Sequence, residues 1–126
     1  MIPAQLRIFV CSEPVDMRCG FDRLAQLAKE RVGEEPQSGA LFVFCAKRAT
    51  RLKVLWFDHN GYCLLYKRLH QSVFTLPLDG ARAYVQINGA QLATLLQGQH
   101  RTSPRNGRRR KKPQLTSDPG KLSLQP

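Results

Sequence analysis

Two apolar runs flanking Asp58-His59-Asn60-Gly61 constrain the fold more than any other feature of the chain. Leu52–Phe57 and Tyr62–Leu65 are rich in aromatic and branched side chains, which suit a pleated, half-buried surface. Asn-Gly supplies residues tolerant of positive φ, and Asp-x-x-Gly suits a type I turn closed by a glycine bulge. Either turn folds the two runs back on each other as a hairpin. A two-residue loop sets Lys53 opposite Arg68, and a three-residue loop sets it opposite Lys67. Both registers crowd like charges at the open end of the hairpin, beside Lys47, Arg48 and Arg51. Such neighbours repel one another unless an anion lies over them. A local conflict in an otherwise self-consistent segment points to function.

The remaining elements follow from periodicity. Leu41–Cys45 is a continuous apolar run too short for a helix and reads as a buried strand. Leu6–Val10 reads as a first strand. Asp16 suits the N-cap of a helix that starts near Met17 or after Gly20. Phe21, Leu24, Leu27, Ala28 and Val32 then form its apolar face, and Gly33 ends it. This opening admits a parallel strand–helix–strand unit, since the crossover is long enough. Glu34–Gly39 is a loop. Beyond the hairpin, Val73–Leu76 is a short fourth strand, and Ala83–Ile87 alternates as an edge strand does. Asn88 with Gln91 resembles a capping box opening a helix with a Leu92, Leu95, Leu96 stripe, closed by Gly98. The fold class is therefore α+β: a small mixed or antiparallel sheet of about five strands with two helices packed on it, both on one face, and a disordered basic C-terminal tail.

Charge divides the chain at the same place. Of 126 residues, 1–98 carry 12 basic and 8 acidic side chains, whereas 99–126 carry 8 basic and 1 acidic. Residues 1–98 are read as the compact domain. The segment 99–126 has too few large apolar residues to offset the cost of ordering it. A charge of this sign favours nucleic acid or another polyanion as partner. No apolar run is long enough to span a membrane, and the first ten residues lack the pattern of a secretory signal, so a cytoplasmic, membrane-free protein is expected. Cys11, Cys19, Cys45 and Cys63 show no CxxC and no His at ligand spacing. They read as reduced packing thiols.

The candidate nucleic-acid-binding residues are Lys47, Arg48, Arg51, Lys53, Lys67 and Arg68, gathered by the hairpin, with Arg18 either joining them or pairing with Asp22. Phosphate contacts from such a patch give affinity that depends on salt and is largely blind to sequence. Trp56, Phe57, Tyr62 and Tyr66 have faces on which bases can stack, although aromatics in strands more often fill a core. Arg108, Arg109, Arg110, Lys111 and Lys112 form a second, purely electrostatic candidate in the tail. Catalysis is not expected. Asp16, Asp22, Asp58 and Asp79 each belong to a helix start or a turn, no nucleophile accompanies His59, His70 or His100, and neither a cofactor nor a metal is called for.

Two ordered motif blocks add a resemblance. Val15-Asp16-Met17-Arg18-Cys19-Gly20-Phe21-Asp22-Arg23-Leu24 is the first. The second runs from Leu41-Phe42-Val43-Phe44 through a basic loop to Lys53-Val54-Leu55-Trp56-Phe57-Asp58 and Gly61, then Lys67-Arg68-Leu69, Phe74 and Pro77. Over about Leu6 to Gly98 the chain resembles the TnpB accessory family of insertion sequences of the IS-sixty-six kind. It departs from that pattern at Cys19, where a basic residue is common, and at Arg23, where a small one is. The resemblance implies a non-catalytic accessory role in transposition, with the acidic catalytic triad carried by a separate, larger transposase. Two modes of action are expected. One is DNA contact through the basic patch. The other is docking of the cognate transposase on Ala83–Ile87 or on the Leu92, Leu95, Leu96 helix without DNA contact.

Overall fold

The computed structural model describes residues 6–77 and 80–100. Its centre is a parallel pair of strands, β1 (Ile8–Cys11) and β2 (Leu41–Cys45), in the register Ile8 to Leu41, Phe9 to Phe42 and Val10 to Val43. All four residues of β1 and four of the five in β2 are buried. Strands buried on both sides read as unbroken apolar runs, which is why neither segment alternates. β3 (Arg51–Asp58) and β4 (Gly61–Arg68) form the hairpin and continue the sheet antiparallel to β2, and β6 (Tyr84–Ile87) closes the other side against β1. The strand order is β4-β3-β2-β1-β6, and β5 (Ser72–Val73) pairs with β7 (Gln99–His100) as a separate two-stranded piece. The strand expected over Val73–Leu76 is thus reduced to Ser72–Val73. Gln99 and His100, expected in the tail, are paired.

Doubly buried strands need cover on both sides, and the helices divide accordingly. α1 (Phe21–Leu27), which widens into a π-helical turn over Ala28–Val32, packs Leu24, Leu27, Ala28 and Val32 onto Phe9, Phe42, Phe44 and Leu55. α2 (Gly89–Gln97) packs Leu95, flanked by half-buried Leu92 and Leu96, onto the layer of Ile8, Val10, Val43, Cys45, Leu52 and Val54. The expectation of two helices on one face is corrected: they lie on opposite faces. Alternation in β6 reports the same division, with Tyr84 against the α1 layer and Val85 and Ile87 against the α2 layer.

Local chemistry fixes the element ends. α1 starts after Gly20, and Gly33 ends its π turn at φ 80. Asp16 does not cap it. Its carboxylate instead accepts from the Arg18 amide at 2.8 Å, an Asx turn that leaves Gly20 as N-cap. Phe21, expected on the apolar face, is 46% exposed because it is the first residue of the helix and lies beyond the packed layer. The capping box on α2 forms in both directions: Gln91 N–H donates to Asn88 Oδ1, and Asn88 N–H donates to Gln91 Oε1, both at 2.8 Å. Residues 101–126, including Arg108–Lys112, lie outside the described residues, as does Asp79.

Gly98 shows why the junction between α2 and β7 needs that residue. It sits at φ +73, and a Cβ there would stand 2.5 Å from Leu69 Cδ1 and 3.2 Å from the Val73 carbonyl oxygen. Gly98→Ala is expected to cost about 1–3 kcal/mol, from left-handed backbone plus displacement of β5. Asn88→Ala should cost about 1 kcal/mol through loss of the cap. Denaturant unfolding of both variants tests this; a Gly98→Ala protein as stable as the wild type contradicts the described junction.

Candidate nucleic-acid interface

The hairpin turn determines which cations meet. His59 takes the left-handed conformation at φ 60, and Asp58 pairs with Gly61, so the loop is the two residues His59-Asn60. Histidine is among the side chains that enter this region more readily than most. Gly61 therefore belongs to β4 rather than to the turn, and the register differs from both sequence expectations. Lys53 lies opposite Tyr66, Leu52 opposite Lys67, and Arg51 opposite Arg68. Like charges are indeed brought face to face, but they are the two arginines.

The same register removes two lysines from the expected patch. Lys53 is 7% exposed; its Nζ donates to the Cys19 carbonyl oxygen at 2.8 Å and lies 5.0 Å from the Tyr66 ring centroid. An ammonium so enclosed by a carbonyl and a π face is a clamp between the hairpin and the loop that enters α1. Lys67 belongs to the opposite face, where its Nζ donates to the Leu96 carbonyl oxygen at 2.7 Å in the last turn of α2. That position also suits a cation electrostatically.

The cations left facing outward collect around one end of the sheet. Lys47 and Arg48 are exposed in the loop after β2, and with Arg51 they line an open cleft of about 570 Å³. Its opposite wall is Glu13, Pro14, Val15, Asp16 and Met17, held against β2 by the hydrogen bond from Val15 N–H to the Cys45 carbonyl. Arg18 is fixed on that wall. Its guanidinium grips Asp16 through Nη2 at 2.7 Å and Nε at 3.1 Å, leaving the side chain 92% exposed. Arg18 therefore pairs with Asp16, not with Asp22. These bonds, more than the added fields of Arg18 and Arg51, hold the Asp16 carboxyl down at about pKa 2. The lowered value means that Asp16 stays ionised until the pH falls through about 2, so the cleft's charge does not vary with Asp16 at physiological pH.

Among the described residues, charge in this region is incompletely balanced. Five cations (Arg18, Lys47, Arg48, Arg51 and Arg68) stand near two carboxylates, Asp16 and Glu13. Glu13 is itself paired with Arg31 at 3.3 Å. Sequence reasoning missed Glu13 and the Asp16 contact, although the Asp-x-Arg spacing of an Asx turn was available as a signal. The aromatics are mostly structural. Trp56 packs against the α2-side core and Tyr62 against the α1-side core, with Phe57 edge-on to Tyr62 at 5.1 Å. Tyr66, 52% exposed, keeps a face toward Lys53. Among the described residues no three His, Cys, Asp or Glu side chains gather as metal ligands, and no helix is long and apolar enough to cross a membrane. Cys11 and Cys45 are buried. Burial pushes the Cys11 thiol up to about 12, against the opposing pull of Arg31, and raises that of Cys45.

Comparison with known proteins adds sequence relatives but no structural one. Residues 6–106 match the family model described as IS66 Orf2 like protein. The chain is 39% identical over 100 residues to the uncharacterized protein y4hO of Sinorhizobium fredii (strain NBRC 101917 / NGR234), covering 78% of this chain and 86% of the relative. It is 40% identical over 78 residues to the uncharacterized protein y4jC of the same strain, covering 60% and 67%. No solved structure matches.

Two placements can be measured without any ligand. Lys53→Ala leaves the Cys19 carbonyl without its donor and should lower stability by about 1–3 kcal/mol in denaturant titration. A variant of unchanged stability would show that the ammonium is not engaged inside the fold. At neutral pH a thiol reagent should label half-buried Cys19 and Cys63 first, and Cys11 and Cys45 only on unfolding, as read by peptide mass spectrometry. Rapid native labelling of Cys11 contradicts its burial.

Proposed function

The chain belongs to the IS66 Orf2-like family, and on that premise we propose that it is a non-catalytic accessory protein of insertion-sequence transposition that contacts DNA through the cleft at the open end of its hairpin. One observation carries the DNA contact: Arg51 and Arg68 oppose each other directly across β3 and β4 at the rim of a cleft that also holds Lys47 and Arg48. Opposed like charges destabilise a strand pair. Phosphate oxygens offer what the described residues do not, an acceptor for each of these two guanidinium groups, and arginine forks suit them geometrically. Arg18 joins them as an exposed cation whose fork is already shared with Asp16. The tail cations Arg108–Lys112 add a second, sequence-independent attraction.

Docking of the separate transposase is the second reading. It is favoured by one feature, the position of β6 at the end of the sheet, where a further strand can add. The leucine stripe of α2 does not serve it well, because Leu95 is buried in the protein's own core and Leu92 and Leu96 pack against that core.

Duplex DNA titrations separate these readings. With four phosphate contacts, affinity should fall about a hundredfold between 50 and 200 mM salt. Arg51→Gln with Arg68→Gln should weaken binding for every sequence alike and flatten the salt slope by about two contacts. The same double variant should be as stable as the wild type or more so, by about 0.2–1 kcal/mol, since it removes a repulsive cross-strand pair. Unchanged affinity in that variant defeats the cleft assignment. Nuclease-resistant capture by the transposase, lost on changing β6, supports the docking reading instead.

A further inference from the structure

The opposite edge of the sheet carries an unassigned surface. β4 is an eight-residue edge strand, paired with β3 along its whole length, from Asp58 with Gly61 to Arg51 with Arg68, without a bulge. Among the described residues no strand pairs with its outer side. Edge strands are ordinarily blunted by charge, proline, bulges or short length. From Gly61 to Tyr66 this one has none of these. The exposed large hydrophobic side chains among the described residues are Leu65 at 40%, Tyr66 at 52% and Phe21 at 46%. Two lie on β4, and the third opens the helix that packs against β3 and β4, two residues beyond the carbonyl bonded by Lys53.

We infer that β4 is a homodimerisation edge, on which a second copy of this chain adds its own β4 antiparallel across a two-fold axis. Charge placement argues for that occupant and that direction. The turn end of the strand carries Asp58, the only formally charged side chain from there to Tyr66, and the open end carries exposed Arg68. Antiparallel addition brings the Arg68 end of each copy to the Asp58 end of the other, whereas parallel addition stacks like on like. A two-fold axis normal to the sheet sets residues of the same face opposite one another. With Leu64 facing its own counterpart, Tyr66 meets Tyr62 of the second copy on the α1 face, and on the other face Lys67 comes opposite its Gly61, beside Asp58. Cross-strand aromatic pairs are favourable in this position. The result is a continuous ten-stranded sheet with no exposed β4 edge. It places the two arginine clusters on one face, about 27 Å apart along the strands. The inference stands whether or not those clusters bind DNA.

Sedimentation equilibrium of the full chain over a range of concentrations tests it. The expected species has twice the mass of one chain. Leu65→Lys, which puts a charge on the edge strand, should raise the dimer dissociation constant about tenfold or more while leaving the circular dichroism spectrum unchanged. Asp58→Arg, which sets a second cation beside Lys67 of the other copy, should weaken the dimer too. A monomer at all concentrations overturns the inference, as does a dimer indifferent to Leu65→Lys. An Asp58→Arg dimer as tight as the wild type overturns the antiparallel arrangement.

Discussion

Everything in this fold follows from burying β1 and β2 on both faces. A strand with no polar side can be stable only if each side is covered, and the chain supplies one helix before β2 and one after β6. The hairpin then fastens both covers with one lysine each. Lys53 reaches through the α1 face to the loop carbonyl of Cys19, and Lys67 reaches through the α2 face to the last turn of α2. These contacts span 34 and 29 residues of sequence. Because side chains alternate along a strand, lysines at positions of opposite face can each serve a different helix. A shift of the hairpin by one residue would turn both ammonium groups to the wrong side, so the register is tied to the layer arrangement as well as to the turn.

The outward cations have a different character. Arg51, Arg68, Lys47 and Arg48 gather where the sheet ends and the loop after β2 turns back, and the nearby carboxylates are already engaged, Asp16 by Arg18 and Glu13 by Arg31. Lysines that reach acceptors stabilise the molecule; crowded arginines with none among the described residues do not. Two kinds of cation within one hairpin thus differ: the lysines are taken up by the architecture, and the arginines are left facing outward.

Sequence patterns carried most of the architecture because those signals are local. Asn88 and Gln91 announce their capping box within four residues, and Gly33 marks the end of its helix. The register was not legible, because Asn60-Gly61 is statistically the better turn and nothing local says that His59 takes the left-handed position. The side on which α2 packs was not legible either: a run such as Leu41–Cys45 says that it is buried, not what buries it. For Lys53 the acceptor is a backbone carbonyl, which no residue type advertises. Of the seven residues read as a patch, the fold groups five, and the two it diverts are those whose direction depended on the register.

The short β5–β7 pairing fixes where the rest of the polypeptide departs. Ser72 holds His100, Leu69 N–H bonds the Thr50 carbonyl, and Phe74 N–H bonds the Ala49 carbonyl. The last described residue is thus moored beside the loop that bears Lys47 and Arg48. Whatever conformation follows, the eight basic residues beyond it begin from that mooring. For the DNA contact proposed above, those cations would be covalently linked neighbours of the cleft rather than partners arriving from bulk.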